Sequence, residues 1–331
     1  MTEPEEILLN EVVAQSDEIE PDLSKAFSRL SYFVAFSILL VIGISLGSFD
    51  KLRASSTGAI IRSLKNNADF AHAEIIVPTD PFRKVHLTAQ AAIVYDPTSD
   101  KTLFELNARE RLPLASLTKI MTAMLARSSH ESATSVEISE RALLPEGDQG
   151  LLAHDTWRLS ALAALTLVSS SNDGAEALAE IDSREIFIRD MNARAEELGL
   201  KDTYFFNPTG LDVSERVGGS YGSAYDVARL LTEAVKTTPD IFENTAHSTY
   251  AAYSLYGPLE VDNTNNRTGE FPGLIASKTG FTDLAGGNIA IMFDAGLAHP
   301  IVVVVMGSDL DKRIDEAYAL ANATRKYLSV K

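Results

Sequence analysis

No cysteine occurs in the 331 residues of the chain. Disulfides, Cys-ligated zinc, iron–sulfur clusters and thiol nucleophiles are thereby excluded. The compartment is left open, because a large domain can be stable outside the cell without disulfides. Histidine is scarce too. The six, at positions 72, 86, 130, 154, 247 and 299, form no HExxH-like pair, so no metal site is expected. Basic runs are missing as well: 29 Lys and Arg face 46 Asp and Glu, a net charge of -17. Phosphate affinity needs clustered cations, so no nucleic-acid partner is expected. What is present in ordinary measure is apolar material, 45% hydrophobic against 23% charged, enough for one large domain and a tail.

Charge and hydropathy are unevenly spread. Residues 1–24 hold eight acidic residues and no basic or aromatic one, and 1–29 reads as a solvated, disordered acidic tail on the cytoplasmic side. Leu30 to Phe49, LSYFVAFSILLVIGISLGSF, is a run of 20 uncharged residues without a polar face. As a helix rising about 1.5 Å per residue it reaches roughly 30 Å, the thickness of a hydrocarbon core. It is expected to be a single transmembrane helix rather than a cleaved signal, since the preceding stretch is long and acidic. The flanking Lys25 and Arg29 balance Lys51 and Arg53, so charge does not orient it. Long domains translocate largely regardless of charge, and the large C-terminal part is placed outside the cell membrane. Residues 50–84 read as a linker and 85–331 as the large folded domain.

Within that domain, Leu87–Tyr95 and Lys101–Leu106 are strand-like around the turn Asp96-Pro97-Thr98-Ser99-Asp100, a predicted hairpin. From Ser116 to about Val235 the pattern is mainly helical. Strands return at Leu274–Thr279, Gly287–Phe293 and Ile301–Met306. An amphipathic helix over Asp311–Leu328 follows, with Ile314, Ala317, Tyr318, Ala321 and Leu328 on one side. The expected class is α+β: an antiparallel sheet built from both ends of the domain, flanked by helices, with a helical insert.

Three short segments carry the chemistry. In Pro113-Leu114-Ala115-Ser116-Leu117-Thr118-Lys119-Ile120-Met121-Thr122, Ser116 stands at a helix start, where serine is a favoured cap. Lys119 follows three residues on, so both side chains leave one helix face. It is the only charged residue between Arg111 and Arg127. A lysine there either snorkels to water or sits in a polar site. In such a site its pKa falls, and the neutral amine can take the Ser116 proton. The second segment, Ser170-Ser171-Asn172, sits between the apolar Leu159–Val168 and the helical Asp173–Ala179; taken alone it is a loop with a helix cap. The third, Lys278-Thr279-Gly280 within IASKTGFT, taken alone is an edge strand with a surface lysine. Ser-x-x-Lys by itself is weak. The triple with Ser-x-Asn and Lys-Thr-Gly, in this order, is the set of class A β-lactamases and penicillin-binding proteins.

On these motifs, and on SSNDGAEALAE, MNARAEELGLKDTYFFNPTGLD and SKTGFTDLAGGN, the chain from about 85 to 328 resembles the low-molecular-mass penicillin-binding proteins, the D-alanyl-D-alanine carboxypeptidases. The resemblance implies the DD-peptidase/β-lactamase-like fold. It implies Ser116 as nucleophile on the terminal D-Ala-D-Ala bond, Lys119 as its base and Ser170 as a proton relay to the leaving amine. Asn172 would hold the substrate amide and orient Lys119. Lys278 would keep the site electropositive, Thr279 would meet the terminal carboxylate, and Gly280 would let the strand approach. The N–H groups of Ser116 and Phe281 would form the oxyanion hole. No metal or organic cofactor is implied. The partners implied are peptidoglycan stem peptides as substrate and β-lactam antibiotics as covalent inhibitors, with the membrane engaged through the N-terminal helix.

Relatives often carry a basic residue between the strands after Lys-Thr-Gly that helps bind the carboxylate. Here the candidate is His299, which also suits an ordinary loop. Many relatives are secreted with a cleaved signal and add a C-terminal β-domain; here the N-terminal helix is expected to do the anchoring. The competing functions are a D-Ala cross-link endopeptidase using the same residues, a β-lactamase, and a non-catalytic penicillin-binding scaffold. A β-lactamase needs a deacylating glutamate, usually on a loop between the second and third motifs, and no Glu-x-x-Leu-Asn lies between them. His154-Asp155 reads as a turn, Trp157 as packing, and Tyr221 and Tyr225 as core or cleft lining.

Overall fold

The computed structural model of the chain describes residues 80–147 and 149–329. The expected tail, the membrane helix over 30–49 and the linker up to residue 79 lie outside them. Among the described residues no helix is long and apolar enough to cross a membrane.

Five segments pair into one sheet: β1 (Ala91–Asp96), β2 (Lys101–Leu106), β3 (Leu274–Thr282), β4 (Gly286–Asp294) and β5 (Pro300–Ser308). Their order is β3-β4-β5-β1-β2, antiparallel throughout. The run Ile301–Met306 is apolar at every position because both faces of the sheet are covered. Val302, Val304 and Met306 belong to the larger apolar cluster with Ile93 and Tyr95; Ile301, Val303 and Val305 belong to a second cluster with Ala92 and Val94. Full burial of each such side chain stabilises by roughly 1.5–3 kcal/mol, so the middle of the sheet is a rigid platform.

Helices cover both faces. On one side lie α1 (Thr118–Ser129), α2 (Leu159–Ser169), α3 (Asn172–Ala179), α4 (Arg184–Glu197) and α5 (Ala224–Thr237). Helix α2, LSALAALTLVS, is apolar all round and is therefore the central, buried one. On the other side α6 (Arg313–Ser329) seats Ala317, Tyr318, Leu320 and Ala321 against Phe293 and Val303, and Phe271 stacks on Tyr318 at 4.5 Å.

The predicted hairpin forms, and Asp96 Oδ1 closes its turn by accepting the N–H groups of Thr98 (2.9 Å) and Ser99 (3.2 Å). The expected strand from Leu87 begins only at Ala91. The N–H and hydroxyl of Thr88 donate to Glu316 of α6 instead of to a ladder. Upstream, Phe82 packs on Phe104 with ring centroids 5.3 Å apart, so the folded part extends N-terminal of residue 85. The insert also contains strands the sequence does not announce: Ser135–Glu137 with Thr156–Arg158, and Leu112–Pro113 with Tyr204–Phe205 and Ser220–Gly222. Pieces of two or three residues are too short to show alternation.

Candidate active site

Leu114 to Thr118 turn tightly into α1. Ala115 has φ 48 and opens a 3-10 turn, Ala115–Leu117, that runs directly into the helix. Ser116 lies within that turn and does not cap α1, contrary to the ordinary reading of a serine at a helix start. Its hydroxyl instead meets Lys119 Nζ at 2.9 Å. The helix is built so that this lysine cannot reach water. Ile120, Met121, Ala123 and Met124 are all buried, and Lys119 itself is fully buried. Its three donors are taken by Ser116 Oγ, Asn172 Oδ1 (2.7 Å) and the Thr209 carbonyl (2.7 Å).

Burial holds the Lys119 amine at about 7, down from 10.5, with the nearby carboxylates of Glu176 and Asp173 pulling the other way. Near neutral pH a large fraction of the amine is therefore unprotonated. In that form the Ser116 O–H donates to Nζ, which is the geometry of an activated nucleophile. Glu176 is held by the Arg184 guanidinium through two hydrogen bonds, 2.6 and 3.0 Å, which moderates its pull on the lysine.

The second group converges on the edge strand β3. Ser170 ends α2 in the left-handed region, φ 62, and Ser171 starts α3 by accepting the Gly174 N–H at 3.0 Å. Two helices thus meet across two adjacent cap residues, which aims Ser170 toward the sheet. Lys278 Nζ donates to Ser170 Oγ (2.9 Å) and to its neighbour's carbonyl, Thr279 O (2.8 Å). Burial, then the positive charges of Lys119 and Arg313, push the Lys278 amine well below its ordinary value. The Thr279 hydroxyl donates to Thr264 Oγ1 at 2.7 Å. Non-glycine residues with positive φ at 115 and 170 place backbone strain on both sides of the site, held there by the surrounding packing.

Glycine is required where the two groups touch. A Cβ on Gly280 would lie 3.1 Å from the Ser116 nitrogen and 3.1 Å from the Leu114 carbonyl oxygen, so β3 passes the serine turn at backbone contact. The turn is pinned to the sheet by Asn288 Nδ2, which donates to Pro113 O (3.0 Å) and Leu114 O (3.1 Å). A Cβ on Gly210 would lie 1.9 Å from the Ala115 oxygen, and its φ is +80. Phe281 follows Gly280 and lines an open cleft of about 790 Å³ between Leu144–Glu146, Leu211–Glu215 and Phe281–Leu284.

Six of the eight residues read from the sequence thus fall into two hydrogen-bonded groups, Ser116–Lys119–Asn172 and Ser170–Lys278–Thr279. Gly280 joins the two, and Phe281 lies at the cleft. Others separate from them. His299 Nε2 pairs with Asp96 Oδ2 at 3.0 Å, by the turn of the first hairpin, so its side chain is committed there rather than to β3. His154 is exposed and meets Glu137, while Asp155 is buried and accepts the Thr156 and Tyr256 N–H groups, as a turn would have it. Trp157 is core. Tyr225 packs between Tyr95 and the Arg109 guanidinium, and the Tyr221 hydroxyl accepts the Gly218 N–H. Sequence reasoning did not single out Thr209, Thr264 and Glu146, whose carbonyl accepts from Asn172 Nδ2. Two of these act through backbone oxygens, which leave no mark on side-chain identity. Only Thr209, inside the Asn-Pro-Thr-Gly-Leu-Asp turn, had a signal that could have pointed to it.

An antiparallel sheet with helices on both faces, and a serine turn set against its edge strand, is the architecture of the DD-peptidases and penicillin-binding proteins. Penicillin-binding protein D2 of Listeria monocytogenes, solved in an ampicillin-bound form, superposes with a TM-score of 0.63 at 27% identity, covering 72% of this chain and 98% of that one. The family described as D-alanyl-D-alanine carboxypeptidase matches residues 77–310, and the chain belongs to that family. The D-alanyl-D-alanine carboxypeptidase DacF of Bacillus subtilis is 31% identical over 233 residues, 68% of this chain and 59% of that protein. A D-alanyl-D-alanine endopeptidase of Pseudomonas aeruginosa is 30% identical over 233 residues, 66% of this chain and 71% of the relative. The chain thus spans about three fifths of the length of the first and seven tenths of the second.

Proposed function

We propose that the protein is a serine D-Ala-D-Ala carboxypeptidase that trims peptidoglycan stem peptides through an acyl-enzyme on Ser116. The observation that carries this reading is the Lys119 amine, buried and 2.9 Å from Ser116 Oγ. Neutral Lys119 takes the hydroxyl proton as Oγ attacks the carbonyl carbon of the penultimate D-alanine. The N–H groups of Ser116 and Phe281 receive the developing oxyanion. The tetrahedral centre collapses, the C–N bond breaks, and Ser170 passes a proton to the leaving amine of D-alanine. Water then cleaves the ester and frees Ser116. Asn172 fixes the amine, Lys278 holds Ser170 in place, and Gly280 admits the peptide beside β3. A β-lactam would enter the same path and stop at the ester.

The test is product analysis on linear pentapeptide muropeptides and on D-Ala cross-linked dimers. Release of one D-alanine from the linear substrate, with the dimer left intact, is expected. Cleavage of the dimer in preference would replace this reading by the endopeptidase one, which the likeness to the Pseudomonas relative favours.

The reading includes a single membrane span over residues 30–49 with the enzyme domain outside the cell membrane, because the substrate is there and the run is long enough to cross. The chain has no cysteine, so one introduced at the fully exposed Leu297 is a unique reporter. A membrane-impermeant maleimide should label Leu297→Cys in intact cells. Labelling only after lysis would overturn the topology.

A further inference from the structure

One helical turn behind the residue that holds Lys119 stands a buried carboxylate. Asn172 and Glu176 are four residues apart on α3, so their side chains leave one face of the helix. Asn172 Oδ1 accepts from Lys119 Nζ at 2.7 Å, and Glu176 is buried. A carboxylate taken out of water needs a cation or donors. Here the cation is Arg184, the first residue of α4, whose Nε and Nη2 donate to the two carboxylate oxygens at 2.6 and 3.0 Å. A buried pair of this kind adds little stability over an apolar substitute, so its place beside the base is the informative fact. The three Lys119 donors go to Ser116, Asn172 and Thr209. The pair therefore reaches the amine through charge.

The charges that face the amine come from α3 and β3. On α3 they are Glu176 and Asp173, and on β3 Lys278, which bonds Ser170. Helix α2 has no charged residue. On α4 and α5, which also pack on α1, Arg194 pairs with Glu233, Asp226 accepts from Asp202 and Thr203, and Arg229 donates to the Gly199 carbonyl. Around the pair itself, Glu180 and Glu185 meet Arg141, and Glu137 meets His154. Of these cations, Arg184 is the one bonded to Glu176.

The two charges pull on Lys119 in opposite senses. Burial drives the amine down, and Glu176 is the first of the carboxylates that oppose it. Arg184 offsets Glu176 in turn. A general base works best when poised near the operating pH: too acidic an amine accepts a proton weakly, and too basic a one is already protonated.

We propose that Glu176 and Arg184 are a positioning pair for the acylation step, acting through Lys119 to set the pH at which the enzyme turns on. Glu176 keeps the buried amine basic, and Arg184 limits that effect. The proposal rests on Lys119 as the base, and the experiment separates the two. Its probe is a β-lactam, so the result is the same for a carboxypeptidase and an endopeptidase.

The full chain, in detergent, is acylated by fluorescent penicillin in stopped flow from pH 5 to 9, as wild type, Glu176→Gln, Arg184→Gln, Arg184→Lys and the double Gln variant. For Glu176→Gln the midpoint of the rising limb should move down by about 0.5–1 pH unit. At pH 6 this variant should then run about three- to fivefold faster relative to its own plateau, and the plateau itself should fall, because a less basic amine is a weaker proton acceptor. For Arg184→Gln the midpoint should rise by about 0.5 unit, about twofold slower at pH 7. Arg184→Lys keeps the charge and should keep the wild-type midpoint. The double variant should fall between Glu176→Gln and wild type, since Glu176 is the nearer charge. If Glu176→Gln does not fold, the double variant, which leaves no orphaned cation, carries the same test, and its midpoint must lie below that of wild type. An unmoved midpoint in Glu176→Gln, a shift of the same sign in both single Gln variants, or a lower melting temperature with no shift would overturn the proposal and leave the pair a purely structural one. A wild-type profile with no limb near 7 sinks Lys119 as the base; a limb present but unmoved sinks the pair alone.

Discussion

Ser116→Ala is expected to abolish labelling by fluorescent penicillin and to lower D-alanine release at least ~1000-fold, because the atom that forms the ester is gone. The fold should be nearly untouched. Ser116 caps no helix, and its hydroxyl makes one side-chain bond, to Lys119. Loss of that bond leaves Lys119 with its acceptors on Asn172 and Thr209. The melting temperature should therefore stay within a few degrees of wild type, about the effect of 1 kcal/mol or less in a domain of this size. This separates loss of chemistry from loss of structure. A Ser116→Ala protein that still forms a stable penicillin adduct would move the nucleophile elsewhere.

Lys119→Arg is expected to cost a similar factor, again at least ~1000-fold in acylation rate, although it keeps the charge. The reaction needs an amine that can lose its proton, and a guanidinium cannot do so in a protein. The wild-type pH profile should show the same requirement. With the Lys119 amine at about 7, acylation should be slow below that pH, rise through it, and level off above. The sign follows from the role, since only the unprotonated form accepts the serine proton. Stability carries a linked signature. The folded-state value lies below the unfolded 10.5, so the folded state binds fewer protons between about 7 and 10.5, and this group's contribution to stability rises with pH across that window. Stopped-flow acylation from pH 5 to 9 checks the profile; a rate that falls as pH rises through 7 would refute Lys119 as the base.

Much of this was visible in the amino-acid order. The sheet strands were legible as strand-like segments, most plainly the β-branched Ile301–Val305, the last helix by its spacing, and the chemistry by three short segments whose side chains are the functional groups. What stayed hidden has common physical causes. Lys119 is bonded to the Thr209 carbonyl and Asn172 to the Glu146 carbonyl, and a main-chain oxygen is the same whatever the residue. Ser116 looked like a cap because local propensity favours one there; a 3-10 turn, set by the close passage of Gly210 and Gly280, took its hydroxyl out of the helix end. His299 was placed by its distance along the chain from Lys-Thr-Gly, but the carboxylate its ring meets, Asp96, lies about two hundred residues earlier in the sequence. Thr88 likewise left the strand pattern because its partner Glu316 is over two hundred residues away, a contact no local window contains.

The pairing of Val94 with Val303 has a bearing on how the molecule is made. All six residues of β1 are buried, yet β1 leaves the synthesis machinery some two hundred residues before β5, the neighbour that covers it. At roughly 5–20 residues per second that wait lasts on the order of ten seconds or more. Closing so long a loop is also entropically slow. The first hairpin is thus an unshielded, sticky ribbon during that interval, and maturation of this protein is sensitive to whatever guards nascent chains from aggregation.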